Sequence, residues 1–297
     1  MPVQHKTAVI IVNEKCGGHS RTRIAHFAQC LRGAGFVVDI VPTAFRGHAT
    51  ALARKAVHDQ KYTHIVAAGG DGTIAEIAEG MAGSDCILGI LPLGTANVLA
   101  HELGIPSDDA ASAGVMARGN SRVIWPGHLQ SDGWNGLFIQ MAGIGFDAHV
   151  VHAVSTRLKS ALGQFAYVLN TVRSLWRYGF EPLHVLLDGV EYDAVSVIVS
   201  KGSLYAGKYV LTRDSMLAEK RFSVVLFRAP GILATLRASL SLLRGNLARQ
   251  RDVEIHTARC IEIRTPPGIP VQSDGDARQF TPVRIDIAER PIRIVSA

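Results

Sequence analysis

Residues Gly69-Gly70-Asp71-Gly72-Thr73 stand between an apolar run, His64 to Ala68, and a segment with helical spacing. Glycines there free the backbone for positive φ and close approach, and N–H groups at a helix start attract a phosphate. A carboxylate inside such a loop opposes a bare phosphate. Asp71 therefore points to a magnesium ion, its water shell or a ligand hydroxyl as well. The competing reading is a tight turn in which Asp71 caps backbone groups. The loop is not a Walker A loop, since neither GKT nor GKS follows, and it is not a GxGxxG fingerprint. Near the other end of the chain, Gln272-Ser273-Asp274-Gly275-Asp276 places two carboxylates across a glycine. That pairing suits metal coordination, or a general base beside a metal ligand in phosphoryl transfer; a surface turn is the alternative.

The elements that must hold these groups follow from hydrophobic periodicity. Ala8 to Val12 reads as a strand ending at Asn13 and a Gly-bearing loop. Arg21 to Arg32 reads as a helix, with Ile24, Phe27, Ala28 and Leu31 on one face. Strands at Phe36 to Val41, His64 to Ala68 and Ile87 to Leu91 alternate with a helix at Thr50 to Asp59, a helix after GGDGT and a short helix through Leu103. Thr73 and Glu76 have capping-box spacing, so the helix after GGDGT is expected to start at Thr73 and run to Met81. Strand–helix repetition predicts a mainly parallel sheet. The loops Asn13 to Ser20, Thr43 to His48 and Leu93 to Asn97 then gather with GGDGT at its carboxyl edge, where open α/β sheets bind ligands. Lys15, Arg21 and Arg23 either face phosphates from the first loop or are a solvated helix start.

After Ser121 the pattern changes. Ser121 to Trp125, Gly136 to Ala142, Leu183 to Leu187, Ala194 to Ser200, Phe222 to Phe227 and Arg259 to Arg264 read as strands, with turn residues such as Asp188-Gly189 between them. This predicts a second domain rich in antiparallel sheet. Two helices interrupt it, Leu162 to Tyr178 and Ile232 to Arg249. The expected division is 1–122, 123–280 and a C-terminal segment, 281–297, returning toward the first domain. The 297 residues are 47% hydrophobic and 19% charged, which excludes a disordered or collagen-like chain. Lys plus Arg number 31 against 25 Asp plus Glu, a net charge of +6 that suits phosphates, anionic lipid or nucleic acid alike. Cys16, Cys30, Cys86 and Cys260 have no metal-ligand spacing and read as reduced thiols of a cytoplasmic protein. No apolar run is long enough for a spanning helix.

Together these motifs resemble the diacylglycerol kinase catalytic-domain family, which includes sphingosine kinases and soluble bacterial lipid kinases. The resemblance covers nearly the whole chain. The family's NPxSG-like first loop is matched at Asn13 and Gly17, its second-loop Thr at Thr43, and GGDGT is intact. PxGTxND appears as Pro92-Leu93-Gly94-Thr95-Ala96-Asn97-Val98, and GxGFDAxV as Gly143 to Val150. Lys159, Gly163 and Tyr167 match the helix that follows, and the late DGE is matched by Asp274-Gly275-Asp276. GGDGT alone is shared with NAD kinases and phosphofructokinases; the ordered set is specific.

The resemblance implies an α/β domain followed by a β-sandwich, the NAD kinase and diacylglycerol kinase architecture, with nucleotide in the cleft between the domains. It implies transfer of the γ-phosphoryl group of ATP to a lipid hydroxyl with magnesium. Carried over, Asp274 is the general base, with Asp71 also in the catalytic set, and Asp71 and Asp276 attend the metal. Asn13, Lys15, Thr43, Gly69, Gly70, Gly72, Thr73, Gly94, Thr95 and Asn97 hold the nucleotide. Two departures stand out. Val98 replaces the family's usual Asp, and residues 211–224 lack the Asp-Gly of a segment linked to a structural metal in some bacterial members. They keep two alternatives open: a kinase for a soluble alcohol or NAD, and a nucleotide-binding protein with reduced or no kinase activity. The resemblance admits a homodimer; no nucleic-acid partner is expected, since that reading rests only on net charge and scattered arginines, without an aromatic-interleaved basic patch. Arginines at 173, 177 and in the 232–249 helix, with Trp176, suit peripheral contact with an anionic inner-membrane surface. The competing reading packs the apolar stripe against the sandwich and leaves the arginines solvated.

Overall fold

The first apolar run becomes β1 (Lys6–Asn13), with Ala8 to Ile11 buried, in a computed structural model that describes residues 6–13, 18–153, 175–265 and 268–297. The chain divides into two units, Met1–Trp125 with Glu289–Ala297, and Pro126–Ala288. In the first, α1 (Gly18–Gly33) buries Ile24, Phe27, Ala28 and Leu31, the residues that share one face at helical spacing. It is followed by β2 (Phe36–Thr43), α2 (His48–His58), β3 (His64–Gly69), α3 (Asp71–Met81), β4 (Ile87–Pro92), α4 (Val98–Glu102), α5 (Asp109–Arg118) and β5 (Ser121–Ile124). Every position of β3 is buried, which requires cover on both faces of the sheet. The sheet order is β2-β1-β3-β4-β20-β5, where β20 (Ile292–Val295) is the chain's last strand. It lies parallel to β4 and antiparallel to β5. The expected mainly parallel α/β sheet is thus present.

In the second unit β6 (Gly127–Ser131), β7 (Trp134–Phe138), β9 (Leu183–Leu187), β10 (Val190–Ala194), β16 (Cys260–Ile263) and β19 (Val283–Ile287) form one sheet, ordered β10-β9-β16-β19-β6-β7. The other is ordered β15-β14-β11-β8-β17-β18. Its strands are β8 (Met141–Gly145), β11 (Ser196–Ser200), β14 (Phe222–Phe227), β15 (Val253–Ala258), β17 (Pro270–Ser273) and β18 (Asp276–Phe280). Short strands β12 (Leu204–Tyr205) and β13 (Tyr209–Val210) pair separately. Leu129, Phe138, Val185 and Ile285 of one sheet and Val197, Phe222 and Val271 of the other share a core, the arrangement of a β-sandwich. Residues of alternate parity, Met141, Ile198 and Val225, join Leu211, Leu247 and Val253 in a smaller core, to which α7 (Ile232–Leu243) contributes Ala238 and Leu242. A further helix, α6 (Phe146–Ala153), follows β8.

Four expectations need correction. The Thr73–Glu76 capping box does not form: α3 starts at Asp71 behind Gly70, and Glu76 instead accepts the Gly47 N–H at 3.0 Å. The segment Gly136 to Ala142 is two strands in different sheets, because the N–H groups of Ile139 and Gln140 go to a carboxylate. Ala194 to Ser200 is divided between β10 and β11. The helix from Ile232 stops at Leu243, not Arg249. Gly245 at φ 68 closes it with bonds from Gly245 N to Leu242 O and from Asn246 N to Ser241 O, a Schellman motif. Lys15, Lys159, Gly163, Tyr167, Arg173 and most of the expected helix 162–178 lie outside the described residues.

Candidate active site

Parallel register brings the first unit's loops to one edge. Asn13 pairs with Thr43 at the ends of β1 and β2, and Gly69 with Pro92 at the ends of β3 and β4. Gly70 is extended, and its carbonyl accepts the N–H groups of Thr73 at 3.0 Å and Ile74 at 3.2 Å. Gly72 lies in the first turn of α3. Thr73 is buried, and its Oγ1 accepts from Asn13 Nδ2 at 3.2 Å, tying the first loop to the third. Gly70 and Gly94 approach backbone to backbone. A Cβ on Gly94 would lie 2.5 Å from the Gly70 Cα, so any side chain there forces the two loops apart.

Asn97 shapes the fourth loop from a left-handed conformation at φ 46. Its Oδ1 accepts from Gly94 N at 2.9 Å and its Nδ2 donates to Gly94 O at 2.8 Å, leaving one further N–H on the amide. Thr95 is exposed in the same loop. Asp71 Oδ1 accepts from Leu99 N at 3.2 Å. Burial pushes the Asp71 carboxyl above the usual carboxylate range, against the opposing pull of the Leu99 and Val98 N–H groups. Val98 itself is buried, so its position contributes backbone to Asp71 and an apolar side chain to the core. Arg23 is not turned to a phosphate: it is held by Asp109 Oδ1 at 2.8 Å and by the carbonyls of Pro92 and Ser107.

The second unit carries the late acidic motif on a hairpin. Ser273 pairs with Asp276, and the two residues between them, Asp274 at φ 48 and Gly275 at φ 77, are both left-handed. Asp-Gly is the pair such a turn favours. The Asp274 carboxylate closes the break between β7 and β8, accepting from Ile139 N at 2.8 Å, Gln140 N at 2.8 Å and Met141 N at 3.0 Å. Three N–H donors fix the orientation of this side chain. Asp276 lies 3.8 Å from the Arg278 guanidinium, which also donates to Ser273 Oγ and stacks on Trp134.

A half-buried residue near this hairpin was visible in the sequence only as part of GxGFDAxV. Asp147, at the start of α6, accepts from Tyr205 O–H and from Gln272 Nε2, and Gln272 Oε1 in turn accepts the Gly275 N–H at 3.0 Å. Burial pushes the Asp147 carboxyl up, with both donors opposing. A Cβ on Gly143 would sit 2.1 Å from Asp147 Oδ2, so this glycine makes room for the carboxylate. The signal in the sequence is an acid inside an otherwise apolar stretch, Ile144 to Ala148; its partners Tyr205 and Gln272 gave none. In the 211–224 segment, the buried Lys201 ammonium donates to the carbonyls of Glu219 and Arg221. The chain's own amine thus satisfies these oxygens, and burial pulls its pKa down to about 7.

Among the described residues no three His, Cys, Asp or Glu side chains cluster as a metal cage. A magnesium ion carried by nucleotide phosphates needs only one or two carboxylates, and partly buried Asp71 beside the glycine cradle fits that requirement.

Comparison with known proteins agrees with this construction. Residues 7–129 match the family described as diacylglycerol kinase catalytic domain, and residues 140–296 the YegS C-terminal NAD kinase beta sandwich-like domain. The chain is 27% identical over 296 residues to a diacylglycerol kinase of Bacillus subtilis (strain 168), covering 98% of this chain and 96% of that protein. It is 30% identical over 292 residues to a protein of Pseudomonas putida named as a YegS-like lipid kinase, covering 95% and 92%. The fold is similar to a crystal structure of a diacylglycerol kinase from Bacillus anthracis strain Sterne, with a TM-score of 0.76, 23% identity and coverage of 99% and 97%. A glycine-lined α/β unit and a β-sandwich, each matched along its length, make this chain a member of the diacylglycerol kinase catalytic-domain family of kinases.

Proposed function

We propose that this kinase transfers the γ-phosphoryl group of ATP to the hydroxyl of a lipid alcohol, diacylglycerol or a related lipid, with magnesium. The observation that carries the reading is the cradle at Gly70 and Gly94, with Asp71 at its rim. That contact holds two glycine-bearing loops together at the start of α3, where helix N–H groups attract a phosphate. In this assignment the loops at Asn13, Thr43, Gly69 to Thr73 and Gly94 to Asn97 bind the nucleotide, joined by Lys15. Asp71 is assigned to the metal, and Asp276 is given a metal-attending role. Bound magnesium would neutralise charge on the transferred group. A carboxylate oxygen of Asp274, held by N–H bonds from Ile139, Gln140 and Met141, takes the proton of the acceptor hydroxyl. The three N–H donors orient that oxygen before the acceptor arrives.

The test is an acceptor screen with ATP and magnesium over diacylglycerols, other lipid alcohols, glycerol and NAD. Transfer to a lipid is expected, with Asp71→Ala and Asp274→Asn each lowering kcat by about a hundredfold or more. An unchanged rate in Asp274→Asn removes that residue as the base, and transfer confined to glycerol or NAD removes the lipid assignment. A second reading, a nucleotide-binding protein with reduced or no turnover, is favoured by Val98, where an apolar side chain replaces the family's carboxylate. ATP binding without turnover across the whole screen would select it.

A further inference from the structure

The α7 helix is apolar on the side that faces water. Leu233, Leu236, Leu240 and Leu243 are 77%, 49%, 46% and 57% exposed. Their spacing of three, four and three residues puts all four on one face. The opposite side, with Ala238, Ser241 and Leu242, packs toward the smaller core of the sandwich unit. A surface helix ordinarily buries its large apolar side chains and exposes its small and polar ones. Here three of the helix's small or polar residues, Ala234, Ala238 and Ser241, are less exposed than any of these four leucines.

The surroundings of the face are basic. Residues 228–251 hold five arginines and no Asp or Glu. Arg228 and Arg237 are ion-paired to Glu254 and Asp252, while Arg244, Arg249 and Arg251 are exposed. Helical spacing puts Arg237 and Arg244 along the border of the leucine stripe. No helix among the described residues is long and apolar enough to cross a bilayer, so a leucine face with basic flanks would lie in the interface plane.

We infer that the leucine face of α7 docks on an anionic bilayer, with Leu233, Leu236, Leu240 and Leu243 entering the acyl boundary and Arg244, Arg249 and Arg251 meeting headgroup phosphates. The complementarity of charge selects this occupant. A second copy docked through the same patch would set one arginine-bordered face against another, and like charges oppose that pairing. The inference rests on the lipid-kinase reading for its purpose, since a lipid acceptor must be reached from a membrane surface.

Sedimentation with vesicles, run without nucleotide, tests it independently of catalysis. The full chain is expected to co-sediment with phosphatidylcholine–phosphatidylglycerol vesicles and to remain in the supernatant with phosphatidylcholine alone. Leu236→Gln/Leu240→Gln, at exposed positions that leave the core intact, should weaken vesicle partitioning by about tenfold or more. Arg244→Ala/Arg249→Ala/Arg251→Ala should abolish the preference for anionic vesicles, and both variants should melt like the wild type. Wild-type protein that ignores anionic vesicles overturns the inference, as does a leucine variant that binds them equally. A wild-type dimer that the leucine variant converts to monomer assigns the face to a second copy and also overturns it. If the acceptor screen finds no kinase activity while vesicle binding behaves as stated, the catalytic reading fails and the docking surface stands.

Discussion

Asp147 has both oxygens engaged, one by Tyr205 and one by Gln272, and through Gln272 it reaches the backbone of the Asp274–Gly275 turn. Tyr205→Phe leaves a half-buried carboxylate oxygen short of a donor at a cost of about 1 kcal/mol. The expected outcome is a lower melting temperature together with about a tenfold fall in kcat and an unchanged KM for ATP, read by steady-state kinetics. A fall in melting temperature with kcat intact would confine Asp147 to a structural role. His64 gives a second test at this scale. It is buried against Phe36, and its Nε2 has no hydrogen-bond partner among the described residues. Burial, then the nearby Lys6 charge, pulls the imidazole down to about 4 from 6.5. The folded state therefore binds fewer protons than the unfolded state between these values. Stability is full above about pH 6.5 and is lost as pH falls toward about 4, by roughly 3 kcal/mol. Urea unfolding at pH 7 and pH 4.5 should show this loss in the wild type and a smaller one in His64→Leu.

Among the elements, the contact between the loops after β3 and β4 decides the nucleotide site. Gly94→Ala drives a methyl group to within 2.5 Å of the Gly70 Cα, so the loops must separate while both strands keep their pairing. Calorimetric titration is expected to show ATP affinity lowered by about tenfold or more with circular dichroism unchanged. Affinity equal to the wild type would show that the loop contact does not shape the site. Much at this scale was legible in the sequence. The apolar runs of β1, β3 and β4, the one-sided helix α1 and the turn-forming Asp188-Gly189 carry local signals that their neighbours along the chain enforce. The start of α3 was not, because Glu76 had two available partners. The Gly47 N–H, brought by α2, won over the helix's own first turn.

At the scale of the whole molecule, the first unit is not continuous in sequence. Its sheet is completed by β20, inserted between β4 and β5 from the far end of the chain. Deleting residues 289–297 removes an inner strand, uncovers one side of β4 and leaves β5 without its partner. Hydrogen exchange should then show rapid loss of protection in β4 and β5, with β11 and β14 of the sandwich still protected. Protection retained in β4 would show that the sheet tolerates the loss.

The sequence by itself determined the strand–helix order of the first unit through α4, the change to strand-rich antiparallel sequence, the glycine loop at a helix start and the Asp-Gly turn. Each depends on periodicity, glycine conformation or turn chemistry within a few residues, and such preferences travel with the chain. Only the tertiary structure decided that Asp274 would be held by N–H groups more than 130 residues away. It alone joined Asp147 to that turn, set the Lys201 ammonium on the carbonyls of Glu219 and Arg221, and turned the leucines of α7 outward. Hydrophobic spacing shows that a helix has an apolar face. Which way that face turns depends on what the rest of the molecule packs against it.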